Sequence, residues 1–308
     1  MVKKIFLFVL IICGLQVVYA QKKPIKQPKK VLETVYIRDN FYADEIEISV
    51  EDWVYFIGYK LHVEGGDSAR KMLPDLRLLA PQAYQLLNIV RDLCQREPGD
   101  AVMLATNNLG EILQPLTFVE QVNKSKESLL PATEFPITGI SYEQAKAFCA
   151  WRTNQITELL NSGSKKAKKL GLQKAIFRLP TPAEADSLLA LCQDPNQDGQ
   201  VDSVFIKTGC RLWNYSRSIG CPDDGLKVQT YGKQAMMRYR TYDPIPQGFF
   251  DVLGNVAELT NQKYICKGGS FRQPAQDGLS GAYIRYSQPE QWIGFRCFAE
   301  YVFTPKEK

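Results

Sequence analysis

Histidine is almost missing from this chain of 308 residues, with His62 the single copy. A histidine-centred metal site or catalytic triad therefore has no material to be built from. Long apolar runs are also lacking. The one candidate, "IFLFVLIICGLQVV", is too short for a comfortable membrane span, which takes about 20 apolar residues. A basic excess is missing from the body of the chain, although the whole carries a formal charge of +5. Lys3 and Lys4 precede the apolar run, and "QKKPIKQPKKV" holds five more lysines, so residues 31–308 come to −2. That balance argues against a nucleic-acid-binding face. No internal repeat is present. Nor does any cysteine fall between Cys266 and Cys297, which bears on any thiolate-bound metal.

The residues that are present begin with a leader. "MVKK" is a short basic head, the apolar run follows, and Val18-Tyr19-Ala20 supplies small residues at the cleavage positions. This order predicts a signal peptide over residues 1–20, cleaved after Ala20, and an exported protein, periplasmic or associated with the outer membrane. Acylation of Cys13, as in a lipoprotein, is the competing reading, and the bulky Ile12 before it argues against it. Residues 21–33 form a Lys/Pro linker, extended and solvated, and residues 34–308 form the folded domain. Such a basic tail could hold an acidic membrane surface or partner, but a solvated spacer is the commoner case. Seven cysteines remain after cleavage: Cys94, Cys149, Cys192, Cys210, Cys221, Cys266 and Cys297. Export makes disulfides permissible, and the odd count leaves at least one thiol free or bonded to another chain.

Periodicity outlines the elements. "FYADEIEISVEDWVYFIGYK" alternates at Ile46, Ile48 and Val50, then takes helical spacing through Trp53, Phe56 and Ile57. This predicts a strand followed by a helix from near Ser49. Residues 68–98 read as largely helical, interrupted at Pro74 and Pro81, with Leu86, Leu87, Val90 and Leu93 on one stripe. A loop-rich region follows to about Pro136. Two helices are then well punctuated. One has Ser141 as N-cap and Gln144 closing a capping box, with Ala145, Phe148, Cys149 and the stem of Arg152 facing inward. The other has Thr181 as N-cap, Pro182 at the first position and Glu184 closing the box. Between them, "SGSKKAKKLGLQK" reads as a flexible, solvent-facing basic loop. Cys192 to Arg240 has little periodicity, and the remainder reads as short strands between turns. Long irregular segments in an exported domain need staples, either disulfides or bound ions.

Several clusters carry possible chemistry, each with a plainer alternative. "FDVLGNVAEL" gathers Asp251, Gly254, Asn255 and Glu258 in one turn, which suits a hard cation such as calcium; the alternative is a Gly-Asn turn with two solvated acids. "DPNQDGQVDSVF" sets Asp194, Asn196, Asp198, Gly199 and Asp202 at calcium-loop spacing, but Phe205 stands where the bidentate acid belongs, so a polar surface turn is favoured. Cys210 and Cys221 bracket a loop and could bond. The loop from Arg272 to Gly281, with Gln273, Tyr283, Arg285, Tyr286 and Trp292, carries the aromatic and arginine types that anchor interfaces, or else simply packs. The double glycine of "KGGS" before it marks a sharp bend or a close approach.

Taken together and in order, "FYADEIEISVEDWVYFI", "FPITGISYEQAKAFCAWR", "RLPTPAEA", "GFFDVLGNVAEL", "KGGSF" and "GFRCF" resemble the formylglycine-generating enzyme, or sulfatase-modifying factor, domain family. The resemblance implies an irregular α+β fold related to C-type lectins, held by disulfides and calcium. It implies calcium on the side chains of Asp251 and Glu258 and the carbonyls of Gly254 and Val256. It suggests a second calcium site on Asn214, Tyr215, Asp224 and Leu226, and a disulfide between Cys149 and Cys297. The family's enzymes oxidise a substrate cysteine with copper(I) held by two thiolates, and the positions matching those thiolates are Gln273 and Gly278. Copper(I) demands soft ligands, so copper is not expected here. The chain also resembles exported gliding-motility and type IX secretion lipoproteins of this family, which implies a non-catalytic binding or scaffold module with an envelope protein or peptide partner. The alternative is a divergent copper-dependent oxidase forming formylglycine, using Cys266 and a cysteine of the 192–221 region.

Overall fold

A computed structural model describes residues 28–95, 132–192, 214–215, 235–242, 244–273, 278 and 281–304. Strands β1 (Lys30–Val31), β2 (Thr34–Arg38) and β3 (Phe41–Asp44) form an antiparallel meander. Far along the sequence, β4 (Leu172–Arg178) and β9 (Phe298–Phe303) complete a five-stranded sheet in the order β1-β2-β3-β9-β4. Beside it lies a sheet of four short strands, β5 (Ala257–Leu259), β6 (Ile265–Lys267), β7 (Ile284–Arg285) and β8 (Ile293–Gly294), ordered β7-β6-β5-β8. The β5–β8 pair is parallel and the other pairs are antiparallel. The mixture of helices with largely antiparallel strands is the α+β class that the sequence led us to expect.

The helices start where their caps direct. Ser49 and Asp52 close a capping box on α1 (Val50–Tyr59), which runs on into a π-helical turn at Lys60–Glu64. After α2 (Gly66–Lys71), helix α3 (Pro81–Cys94) buries Leu86, Leu87, Val90 and Leu93. Ser141 and Gln144 cap α4 (Tyr142–Asn161), and Thr181 and Glu184 cap α6 (Pro182–Leu191). Two expectations are corrected. The alternation at Ile46, Ile48 and Val50 is not a strand, because the ladder stops at Asp44 and the chain then makes single bridging bonds, Ile48 N–H to the Phe295 carbonyl at 2.9 Å among them. The basic segment after α4 is not a loop but helix α5 (Lys165–Leu170) followed by β4. The loop expected up to Pro136 and the irregular stretch from Cys192 lie mostly outside the described residues.

The core is aromatic and sits between the helices and the larger sheet. Trp53 stacks on Phe148 with ring centroids 5.6 Å apart, and Phe56, Trp151 and Phe295 pack edge-on or tilted around them. Trp53, Phe56, Phe148 and Phe295 are fully buried, and each contributes about 1.5–3 kcal/mol of hydrophobic stabilisation. Helix α4 is fixed to β4 through Thr153, whose hydroxyl accepts the Phe177 N–H at 2.9 Å. No helix among the described residues is long and apolar enough to cross a membrane.

Candidate functional site

The turn from Asp251 to Glu258 lies buried where several segments meet. Asp251 and Asn255 both take left-handed backbone angles, φ 50° and 49°, which coil the turn tightly around Gly254. Asn255 is the hub. Its side-chain carbonyl accepts the Met237 N–H at 2.9 Å and the Asn214 amide at 3.2 Å, while its own amide donates to Glu47 at 3.0 Å. Its backbone N–H bonds the Asn214 carbonyl at 2.9 Å. Asn214 thus joins this turn, whereas Asp224 and Leu226 lie outside the described residues, as do the Asp194–Phe205 loop, Cys210 and Cys221.

Three buried carboxyls surround the turn, and among the described residues a single guanidinium, Arg296, faces them. Its Nε donates to Glu258 Oε1 at 2.9 Å, and its other nitrogens donate to the carbonyls of Asp44 and Phe250 at 2.7 and 2.8 Å. Burial pushes Glu258 above the usual carboxylate range in spite of this partner. Burial also pushes Asp251 up to about 6, against the hydrogen bond from the Arg240 N–H. Glu47 is driven well above its ordinary value by burial and by the facing Asp251 charge. A fourth buried acid, Asp44, is paired separately with Arg152 at 2.6 Å. Glu47 and Arg296 were not singled out from the sequence. The signal available was a glutamate between Ile46 and Ile48 and an arginine inside the apolar "GFRCF".

This donor set suits a hard cation. It consists of oxygens, it is buried, and its carboxyls outnumber the guanidinium that faces them. Among the described residues no three His, Cys, Asp or Glu side chains converge closely enough to hold a metal by themselves, so backbone carbonyls would have to complete any shell.

The double glycine ends β6. Gly268 and Gly269 have φ of 90° and 73°, and Gly268 lets the Gly254 N–H reach its carbonyl at 2.9 Å. The bend also brings Gly278 against it. A Cβ placed on Gly278 would lie 2.4 Å from the Tyr215 hydroxyl oxygen and 2.6 Å from the Gly268 carbonyl oxygen. No side chain fits there without displacing backbone. Gln273 is turned to the Ser270 hydroxyl, which it accepts as a hydrogen bond. Neither residue at the two positions matched to copper thiolates is a soft donor, so the residues present do not fit copper(I). Cys266 lies in β6, wholly buried, with its thiol pushed up to about 12 by burial and directed at the Ile284 carbonyl.

The expected contact residues fall into two groups at opposite edges of the smaller sheet. Tyr283, Arg285 and Tyr286 run along β7, where Tyr283 is 59% exposed and Tyr286 packs on the half-exposed Tyr264. Arg272 is tied to Gln291 at 3.0 Å, next to the half-buried Trp292 that leads into β8. The buried Lys267 holds the first group in place, its ammonium 2.7 Å from Asp186 and 4.1 Å from the centre of the Tyr283 ring. Elsewhere, Cys149 and Cys297 meet as thiols with sulfurs 3.2 Å apart, joining α4 to the start of β9.

A family profile described as the sulfatase-modifying factor enzyme 1-like domain matches residues 8–301. Among solved structures, Treponema denticola variable protein 1 is 16% identical, covering 85% of this chain and 84% of that one, with a TM-score of 0.43. A crystal structure of CarF is 19% identical over 56% of this chain and 69% of that one, with a TM-score of 0.35. PvdO from Pseudomonas aeruginosa is 17% identical over 55% of this chain and 63% of that one, with a TM-score of 0.34. No curated protein matches.

Proposed function

This chain belongs to the sulfatase-modifying factor domain family, and from that membership we propose that it is a non-catalytic binding or scaffold module of the cell envelope. The family's α+β, C-type-lectin-like fold is retained. The observation that carries the proposal is the filled position at Gly278, where Tyr215 and the Gly268 carbonyl occupy the space a metal-binding side chain would need. The leader and linker support export, to the periplasm or the outer membrane, with a place in a secretion or gliding-type assembly. Its partner is an envelope protein or peptide that meets Arg272, Gln273, Tyr283, Arg285, Tyr286 and Trp292.

Copper(I) titration of the reduced protein tests the loss of chemistry. No stoichiometric binding is expected. Tight binding that disappears in Cys266→Ser would instead establish the divergent oxidase.

Calcium is the structural ion of this reading. Asp251 and Glu258 would supply carboxylate oxygens, Gly254 and Val256 carbonyls, and Asn214 and Tyr215 part of a second site. When bound, the ion neutralises the buried acids that burial alone leaves poorly compensated. Its binding stabilises the folded state by RT ln(1 + [Ca]/Kd), about 2.7 kcal/mol at a hundredfold excess over Kd. Calcium is therefore expected to raise the melting temperature of the chelator-treated protein, and Asp251→Asn to abolish the rise. An unchanged melt in the wild type would remove calcium from the account. In an oxidising envelope, Cys149 and Cys297 form the disulfide.

A further inference from the structure

The ordered basic segment after α4 has no part in the site around Gly278. Residues 159–183 hold five lysines and one arginine, and no aspartate or glutamate. Arg178 is already neutralised by Glu184 and Glu300. Lys165, Lys168, Lys169 and Lys174 are exposed, and among the described residues none of the four meets a carboxylate.

Local electrostatics oppose the helix that carries three of them. Lys165 stands three residues from Lys168 and four from Lys169, spacings at which like charges repel, and its place in the first turn opposes the helix dipole. Six residues are also too few for a helix to stand alone. The helix forms because Ser164 caps its start, Gly171 closes its end at φ 63°, and Ala167 is buried beneath it. The Gly171 carbonyl is fixed by the Thr304 N–H at 2.9 Å, and β4 continues directly from it with Lys174 exposed. The fold thus holds three lysines on one short helix against their repulsion and leaves them exposed, with Lys174 exposed in the strand that follows.

We propose that this face docks onto an anionic phospholipid bilayer. Its composition selects that occupant. Protein interfaces are anchored mainly by aromatic residues and arginine, and the exposed residues of this face offer neither. Arginine is also the residue for geometrically fixed, bidentate anions, whereas lysine is a point charge on a flexible stem. Four exposed lysines on one short helix and the strand directly after it suit a lattice of mobile phosphate headgroups, each adding attraction that salt screens.

Sedimentation of the full-length protein with vesicles tests the proposal. One vesicle population is pure phosphatidylcholine and the other contains phosphatidylglycerol. Binding to the second and not the first is expected, weakening about fivefold for each lysine replaced by glutamine and falling with added salt. The variant carrying all four replacements, Lys165→Gln, Lys168→Gln, Lys169→Gln and Lys174→Gln, should melt no lower than the wild type, because it relieves repulsion. Lys174→Gln, outside the helix, provides a second variant that does not touch α5. The proposal is overturned if the fourfold variant binds phosphatidylglycerol vesicles as well as wild type, or if the wild type ignores them. Loss of all binding on replacing only the linker lysines, or tighter binding to duplex DNA or polyglutamate than to vesicles, overturns it equally.

Discussion

Arg296 is fully buried, and three hydrogen-bond acceptors from separate segments end on it: Glu258, Asp44 and Phe250. Removing one partner of a buried charged set leaves the others desolvated and unpaired, which costs about 3–5 kcal/mol. Arg296→Met is expected to destabilise the protein by that amount, read as a lower urea midpoint. Arg296→Lys should recover only part of it, because one ammonium cannot span three acceptors laid out for a planar fork. Cys266 makes a second prediction at this scale. With its thiol raised to about 12, almost none is thiolate near neutral pH. Peptide mapping after iodoacetamide treatment should find it unmodified in the native protein and modified after denaturation. Modification at native conditions would contradict its placement in β6.

At the scale of elements, the capped helices and the short strands after Arg240 were legible, and β4 was not. A capping box is written within four residues, and Ser49, Ser141 and Thr181 each start a helix with its partner in place. Strand β4 was hidden because its partner β9 lies more than a hundred residues away, and because lysines in "KKAKKLGLQK" mask the buried Ala167 and Leu172. Glu47 was hidden for the same reason, since the groups that bond it or face it in its buried place come from residues 251–258 and 296. The turn at Asp251 could be read as a polar cluster, but the guanidinium facing it could not. Glu184 gives these caps a pH signature. Burial raises its carboxyl, but hydrogen bonds from Arg178 and the Thr181 N–H outweigh that and hold it below the usual range. A depressed acid stabilises the fold above its unfolded value, about 4.3, and that contribution is lost as pH falls through the folded value. Glu184→Gln keeps the capping box but loses the Arg178 pair, so it should lower stability at neutral pH by less than about 1 kcal/mol and flatten the acid limb of the stability profile. A parallel shift at every pH would show that the pairing with Arg178 is unimportant.

For the whole molecule, the pairing of Cys149 with Cys297 spans 148 residues. A bond closing a loop of that size removes about 5 kcal/mol of unfolded-state entropy. The air-oxidised protein is expected to melt well above the dithiothreitol-treated protein, and Cys149→Ser to melt identically with and without reductant. Identical melts of the wild type would mean that the bond does not form. The Arg152–Asp44 pair joins the same two elements, since the Asp44 carboxylate also accepts the Cys297 N–H at 2.8 Å, so reduction should lower the melt without freeing α4 from β9, which hydrogen exchange can follow.

The larger sheet places its final strand in the middle, with β9 bonded to β3 on one side and β4 on the other. A ribosome releases β3 and β4 long before it makes Phe298–Phe303, and until then those two strands have no bridge between them. The sheet therefore cannot close before Phe298–Phe303 has been made, whatever local helices form early. Such a chain remains threadable through a narrow pore until that strand has been delivered. Deleting Phe298–Phe303 should leave a product that never becomes protease-resistant.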